Sequence, residues 1–421
     1  MTTTAPSSAS KVEMSPAAVL LKRLVIAVAL LVLILLPTFV LLAVTHQPSA
    51  TWASMGAIVG LVAVAFGGLE VGIITAAVLA LLAPVAIVAG LTPITGAALM
   101  ALMTLMVGRM ARFGLNRALM LVPIFIAWPM LAPVPWLPDS VLALVKRRID
   151  TKGVKLDAWS TLFQGLSPSH SGHTQEIASL VLKYNRLDHT YLAWTAVFFF
   201  VGTIFTVIVG HFAVRKMHLP ALVTRTRREV IPYTVTITVL ASVGTYWFLN
   251  HPKQTAGAFF IATVLVLSQV GEVSEFRLTL ERVAGTIAGA LLMMLLVTQV
   301  HSVSLADVFG CPLPVQMVLL GAVFGVLAIA AKFSRHQWIY FALIVPTTAC
   351  LNGMTVKQAS NVGTQRVVDN LVGAGLVLVV MALTVVSSHL AGRKAAAGTE
   401  SGSAAGENDL VTLQTETTDP T

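Results

Sequence analysis

The chain has 421 residues, of which 56% are hydrophobic and only 11% charged, and it carries a formal net charge of +9. That balance excludes an ordinary soluble domain of this length; apolar runs near bilayer-spanning length, with Gly and Pro inside them, make it a polytopic helical membrane protein. The positive charge lies in many short basic loops, which does not point to nucleic-acid binding, and two cysteines, Cys311 and Cys350, offer neither a disulfide framework nor a Cys-based zinc site.

Residues 1–18 are small and polar and are expected to be a disordered cytoplasmic N-terminus. Lys22 and Arg23 precede an apolar run to Val44 that is longer than the roughly 7–15 residues of a signal h-region, so it reads as a retained first span. Spans are predicted near 22–44, 52–67, 70–90, 94–111, 117–133 and 192–214. An external loop at 134–190 interrupts this set. Within it, Asp139 to Ile149 puts Leu142, Val145 and Ile149 at helical spacing opposite Lys146 and Arg147, as in an interfacial helix. His170-Ser-Gly-His173, with His189 downstream, has a spacing a metal could use, but no Cys or HExxH arrangement accompanies it, and a polar loop without metal is favoured.

A cytoplasmic linker at 217–228 leads to spans near 229–249, 256–270, 280–299, 314–332, 337–351 and 366–390. The second and third spans of each set are closely spaced and read as short or re-entrant. Cys311 and Cys350 fall near the outer ends of adjacent spans, where a disulfide would be external. The tail 395–421 is rich in Gly, Ser, Thr and Glu and is expected to be disordered in the cytoplasm.

The two sets repeat each other. Arg23 and Arg228 start them; at the same offset His46 matches His251 and Glu70 matches Glu275. Ala111-Arg112-Phe113 resembles Ala331-Lys332-Phe333, and both sets end in a His…Arg-Lys segment, at His211 and His389. The expected fold is therefore an all-α membrane protein of about twelve transmembrane helices, arranged as two parallel six-helix repeats at 19–216 and 229–394. With the N-terminus inside, 17 of the 27 basic residues fall in cytoplasmic segments; of the other 10, seven lie in the long loop, which translocates with little regard to charge. Both termini are then cytoplasmic.

The stretch Glu272 to Gly289 places five charges beside an apolar span. Charges near a bilayer are costly and by default raise a functional hypothesis, set against simple snorkelling at a helix end. Arg282, expected at the start of its helix, is a candidate anion contact aided by nearby backbone N–H groups. Gly285 and Gly289 let another helix or a ligand approach closely, and Thr286 offers a hydroxyl. In the last span Arg366 and Asp369 are i, i+3 neighbours able to pair. A carboxylate in apolar surroundings can carry a proton near neutral pH, which makes Glu281 and Asp369 candidates for proton coupling and Arg282 and Arg366 for anion contact. No nucleophile elbow, phosphate loop or paired catalytic carboxylates appear, so neither an enzyme nor an ATP-driven motor is indicated and no cofactor is expected.

Arg282-Val-Ala-Gly285-Thr286-Ile-Ala-Gly289 resembles the RxxGTxxG signature of the fusaric acid resistance or aromatic acid exporter superfamily, and Arg366-Val-Val-Asp369-Asn370-Leu-Val-Gly373 resembles its closing RxxDTxxG segment. The resemblance implies an efflux transporter of small aromatic organic acids in a bacterial inner membrane, and protonation of Glu281 or Asp369 would couple it to the proton gradient. A passive organic-anion channel and a non-transporting envelope component are the alternatives. Membrane lipid and a small organic anion are the implied partners, with a homodimer and a periplasmic adaptor protein left open. The sequence departs from the pattern in three ways. The first half has Glu70-Val-Gly-Ile-Ile-Thr in place of RxxGT, Asn370 stands for the usual Thr, and no large cytosolic domain separates the halves.

Overall fold

The computed structural model describes residues 16–45, 47–131, 133, 183–214, 224–251, 257–268, 275–302, 313–332, 336–352, 368 and 371–379. Every regular element among them is helical. The external-loop helix at 139–149, the His170 and His173 pair, Cys311, Arg366 and Asp369 lie outside the described residues.

The first helix, α1 (Pro16–Thr45), is apolar yet exposes Val25, Val28, Val32, Phe39 and Val40. In a bilayer such a face meets acyl chains while the helix satisfies its own backbone, so exposure there carries no penalty. The next helix, α2 (Trp52–Ala89), has 38 residues and, if straight, would run about 57 Å, nearly twice a hydrocarbon core of about 30 Å. It is not straight. Gly68 sits at φ 82, ψ −176, a conformation that an L side chain resists.

The register against α6 (His189–Val214) shows what that residue does. Before Gly68, Ala53 lies against Gly202, the Ala57 carbonyl accepts a hydrogen bond of 2.8 Å from the Thr206 hydroxyl, and Val64 packs on Gly210. After Gly68 the order reverses: Gly72 is back beside Val207, and the Ile87 carbonyl reaches Arg186. The first arm of α2 thus runs parallel to α6 and the second antiparallel, in agreement with separate segments at 52–67 and 70–90. Trp52 stacks on Phe199 with ring centroids 5.8 Å apart, ten positions past the start of α6 at His189, so the first arm begins about 15 Å down that helix.

Pro93 at the first position and the Thr92 hydroxyl, which accepts from the Thr95 N–H at 3.2 Å, start α3 (Pro93–Met110). Where one span was expected at 117–133, the chain forms α4 (Asn116–Leu119) and α5 (Leu121–Leu131), separated at Met120. The Glu229 carboxylate accepts from the Thr226 N–H at 3.3 Å and fixes the start of α7 (Arg227–Asn250). Then follow α8 (Gly257–Leu267), α9 (Glu275–Ser302), α10 (Leu313–Lys332) and α11 (Gln337–Asn352).

Of the described helical segments, five are long and apolar enough to cross a membrane: Leu21–Thr45, Ser49–Ala89, Pro93–Phe113, His189–Ala213 and Arg227–Asn250. Four shorter apolar ones end at Leu131, Val266, Lys332 and Thr347. The chief contacts join α2 with α6, α3 with α7, and α11 with both α9 and α10; α1 packs on α10. The unit Met1–Gly373 contains all of these. In the second unit, Ala374–Thr421, the described residues 374–379 are helical, with Ala374 and Val377 on the buried side. Cys350 is a free, buried thiol in α11.

Candidate functional site

The charged stretch is helical earlier than the sequence suggests. α9 starts at Glu275, not near 280, and Arg277 donates to Glu281 at 2.8 Å across one turn. Such i, i+4 pairs add a few tenths of a kcal/mol to an exposed turn, here with Arg277 largely solvated. One consequence is a correction. Arg282 lies two turns inside its helix, beyond the first four N–H groups that lack intrahelical partners, so free backbone N–H groups of α9 do not sit beside it.

What surrounds Arg282 is side chains. The residue is only 8% exposed. Its Nη2 donates to the Thr263 hydroxyl of α8 at 3.1 Å, and its guanidinium carbon lies 5.2 Å from the centre of the Phe341 ring in α11. Thr263 can accept because its own proton goes to the Phe259 carbonyl at 2.8 Å. The Arg282 Nε is buried and makes no hydrogen bond. Among the described residues no carboxylate pairs with this guanidinium; the neighbouring Glu281 is turned the other way. A desolvated cation held by a neutral hydroxyl and an aromatic face, with one donor idle, lacks the acceptors that normally compensate burial. An anion at this place would supply the missing acceptor.

Glu281 is fully engaged. One oxygen takes the Arg277 bond, and the other accepts the Gln337 backbone N–H at 2.9 Å, at the first turn of α11. A carboxylate at a helix N-terminus complements the dipole by roughly 0.3–1 kcal/mol. Glu281 therefore ties α9 to α11 one residue before Arg282. Gly285 and Gly289 lie on the same side, and a methyl group on either would meet the Trp338 or the Ala342 carbonyl oxygen. Of the two readings the sequence left open, it is another helix that fills this space. Thr286 is buried and donates its proton to the Arg282 carbonyl at 2.8 Å, which leaves its lone pairs.

The second motif reaches the same place through its last residue. Gly373 packs against the side chain of Thr263, the residue that accepts from Arg282. Two segments about ninety residues apart thus converge on one threonine of α8. Among the described residues no group of three or more His, Cys, Asp or Glu could hold a metal ion.

One residue with a defined role was hidden among the loop charges. Arg186, in a helical turn at 183–187, is 9% exposed. Its Nη1 donates to the Ile87 carbonyl at 2.7 Å and its Nη2 to the Met130 carbonyl at 2.9 Å. Those carbonyls belong to the last turns of α2 and α5, which have no intrahelical donors and carry the negative end of the helix dipole. Burial pulls the guanidinium down to about 10, still protonated at neutral pH. Nothing in the spacing of Arg186 from residues 87 and 130 announces this.

The helices and the buried cation define a multi-pass helical membrane protein with a candidate anion site. Residues 240–380, which include both motifs, match the model of the family described as fusaric acid resistance protein-like. The family is one of membrane transport, which supports a transporter or efflux component. No curated protein and no solved structure matches the chain.

Proposed function

We propose that this protein exports small aromatic organic acids across a bacterial inner membrane, with Arg282 as the anion contact and the proton gradient as driving force. The observation that carries the reading is the Arg282 guanidinium, buried with Nε idle and, among the described residues, without a carboxylate partner. A carboxylate at that nitrogen would neutralise it, and the Phe341 ring beside it suits an aromatic substrate. Gly285 and Gly289 hold α11 close enough for Phe341 to reach the guanidinium, and the Thr286 lone pairs remain for a substrate hydroxyl. Arg366 and Asp369 are proposed to complete the site from the second motif, whose Gly373 meets Thr263.

Proton coupling is assigned to Glu281 and Asp369. Protonating Glu281 removes the ion pair with Arg277 and weakens its hold on the N-terminus of α11, which frees the helix that carries Phe341. Alternating access would come from two parallel six-helix repeats rocking against each other, both termini remaining cytoplasmic. The reciprocal packing of α7 on α3 and of α1 on α10 is what such a pseudo-two-fold arrangement requires.

The test is flux of radiolabelled benzoate and 4-hydroxybenzoate in proteoliposomes with and without an imposed proton gradient. Arg282→Lys should cut apparent affinity about tenfold or more, since an ammonium cannot give the planar two-point contact. Glu281→Gln or Asp369→Asn should abolish uphill efflux and leave exchange intact. Wild-type flux indifferent to the gradient, with single-channel steps in a planar bilayer, would instead identify a passive anion channel.

A further inference from the structure

A second cation stands two rings away from Arg282, and among the described residues it too pairs with no carboxylate. Lys332, the last residue of α10, places its Nζ 4.8 Å from the centre of the Tyr340 ring. The Tyr340 and Phe341 rings meet edge to face with centroids 5.2 Å apart, and the Arg282 guanidinium lies over the far ring. The result is a ladder of cation, ring, ring and cation, from an exposed Lys332 down to an Arg282 that is 8% exposed. An aromatic face returns only about 0.5–2 kcal/mol per cation, less than a paired carboxylate would. Glu281, the acid adjacent to Arg282 in the chain, is committed to Arg277 and to the start of α11.

From this arrangement we infer that Lys332 and Tyr340 form an outer capture step for the same anion that Arg282 binds, an aromatic carboxylate held first at the exposed ammonium with its ring against Tyr340. The inference rests on the Arg282 reading and adds a specificity-determining pair to it. Lys332 supplies long-range attraction at the mouth, where the charge is solvated and its pull depends on salt. Tyr340 supplies a face that suits a planar ring and disfavours an aliphatic acid of equal charge. Arg282 then takes the carboxylate where water is excluded. Charge moves from one cation to the next without an uncompensated anion being buried on the way.

The experiment is binding of benzoate, 4-hydroxybenzoate and acetate to the purified full-length chain in detergent, read as saturable quenching of tryptophan fluorescence at low and high salt. Wild type should bind the two aromatic acids more tightly than acetate, with affinity falling as salt rises. Lys332→Gln should weaken aromatic-acid binding about fivefold at low salt and flatten the salt dependence. Lys332→Arg should restore both, and Tyr340→Leu should narrow the preference for aromatic acids over acetate. Lys332→Gln with unchanged affinity and salt dependence, alongside an Arg282→Lys that loses binding, overturns the capture step and leaves the Arg282 site standing. Wild type that binds none of the three acids, or Arg282→Lys with unchanged affinity, overturns the underlying site and this inference together.

Discussion

Arg186→Met removes a cation from two helix ends while keeping most of the volume of its stem. Arg186 donates to the last-turn carbonyls of α2 and α5 at 2.7 and 2.9 Å and is 9% exposed. Hydrogen bonds from a charged donor contribute about 1.5–3 kcal/mol each, and the two carbonyls left behind would be buried without partners. Relief of the desolvated charge offsets part of that loss. The net cost should be about 2–4 kcal/mol, a large fraction of a typical folding stability. In detergent the apparent melting temperature should drop by about 2–5 °C, to be compared at one scan rate because such proteins often unfold irreversibly. Arg186→Lys should fall between, since one ammonium cannot reach both carbonyls with planar geometry. Lys183→Met, at an exposed neighbour, is the control and should melt as wild type does. If Arg186→Met melts with wild type, the two helix ends do not depend on this guanidinium and the reasoning fails.

Gly68→Ala forces an L side chain to φ 82 and should cost about 1–3 kcal/mol, seen as reduced accumulation in membranes and a lower melting temperature. A variant as stable as wild type would show that the turn is made another way. Gly285→Ala sets a methyl group against the Trp338 carbonyl and should cost about 1–3 kcal/mol by pushing α9 away from α11. Gly375→Ala, where no atom lies within 4 Å of the added carbon, should differ from wild type only by the small gain in helix propensity. Equal melting temperatures for the Gly285 and Gly375 variants would refute close packing at the motif.

Much of the helical layout was legible because water-avoiding runs mark their own ends. The predicted spans at 229–249 and 256–270 meet α7 (Arg227–Asn250) and α8 (Gly257–Leu267) closely, and the division after residue 67 lies at the glycine where α2 turns. The break at Met120 was not legible, because the run from 117 to 133 stays apolar across it. The start of α9 was misjudged because its first turns are polar, and hydropathy undercounts a turn supported by Arg277 and Glu281. Within the site, the motif pointed to Arg282 but not to its environment. Thr263 and Phe341 come from helices 19 residues before and 59 after it in the chain, and only the packing of α8 and α11 on α9 brings them together. Arg186 shows the same limit, since a buried arginine in a loop rich in Lys and Arg has no local mark.

The turn at Gly68 also sets a parity. An unbroken α2 would deliver the chain to Pro93 after one traverse; the doubled-back α2 delivers it there after a descent and a return. Each described helix from α3 to α11 inherits its sidedness from that turn. The first arm is shorter than the ~20 residues that hold a helix across a bilayer, so insertion machinery must accept the two arms as a pair or not at all. A lesion that straightened the turn would do more than loosen packing: it would exchange the faces of everything downstream and present the Arg282 ladder to the opposite compartment.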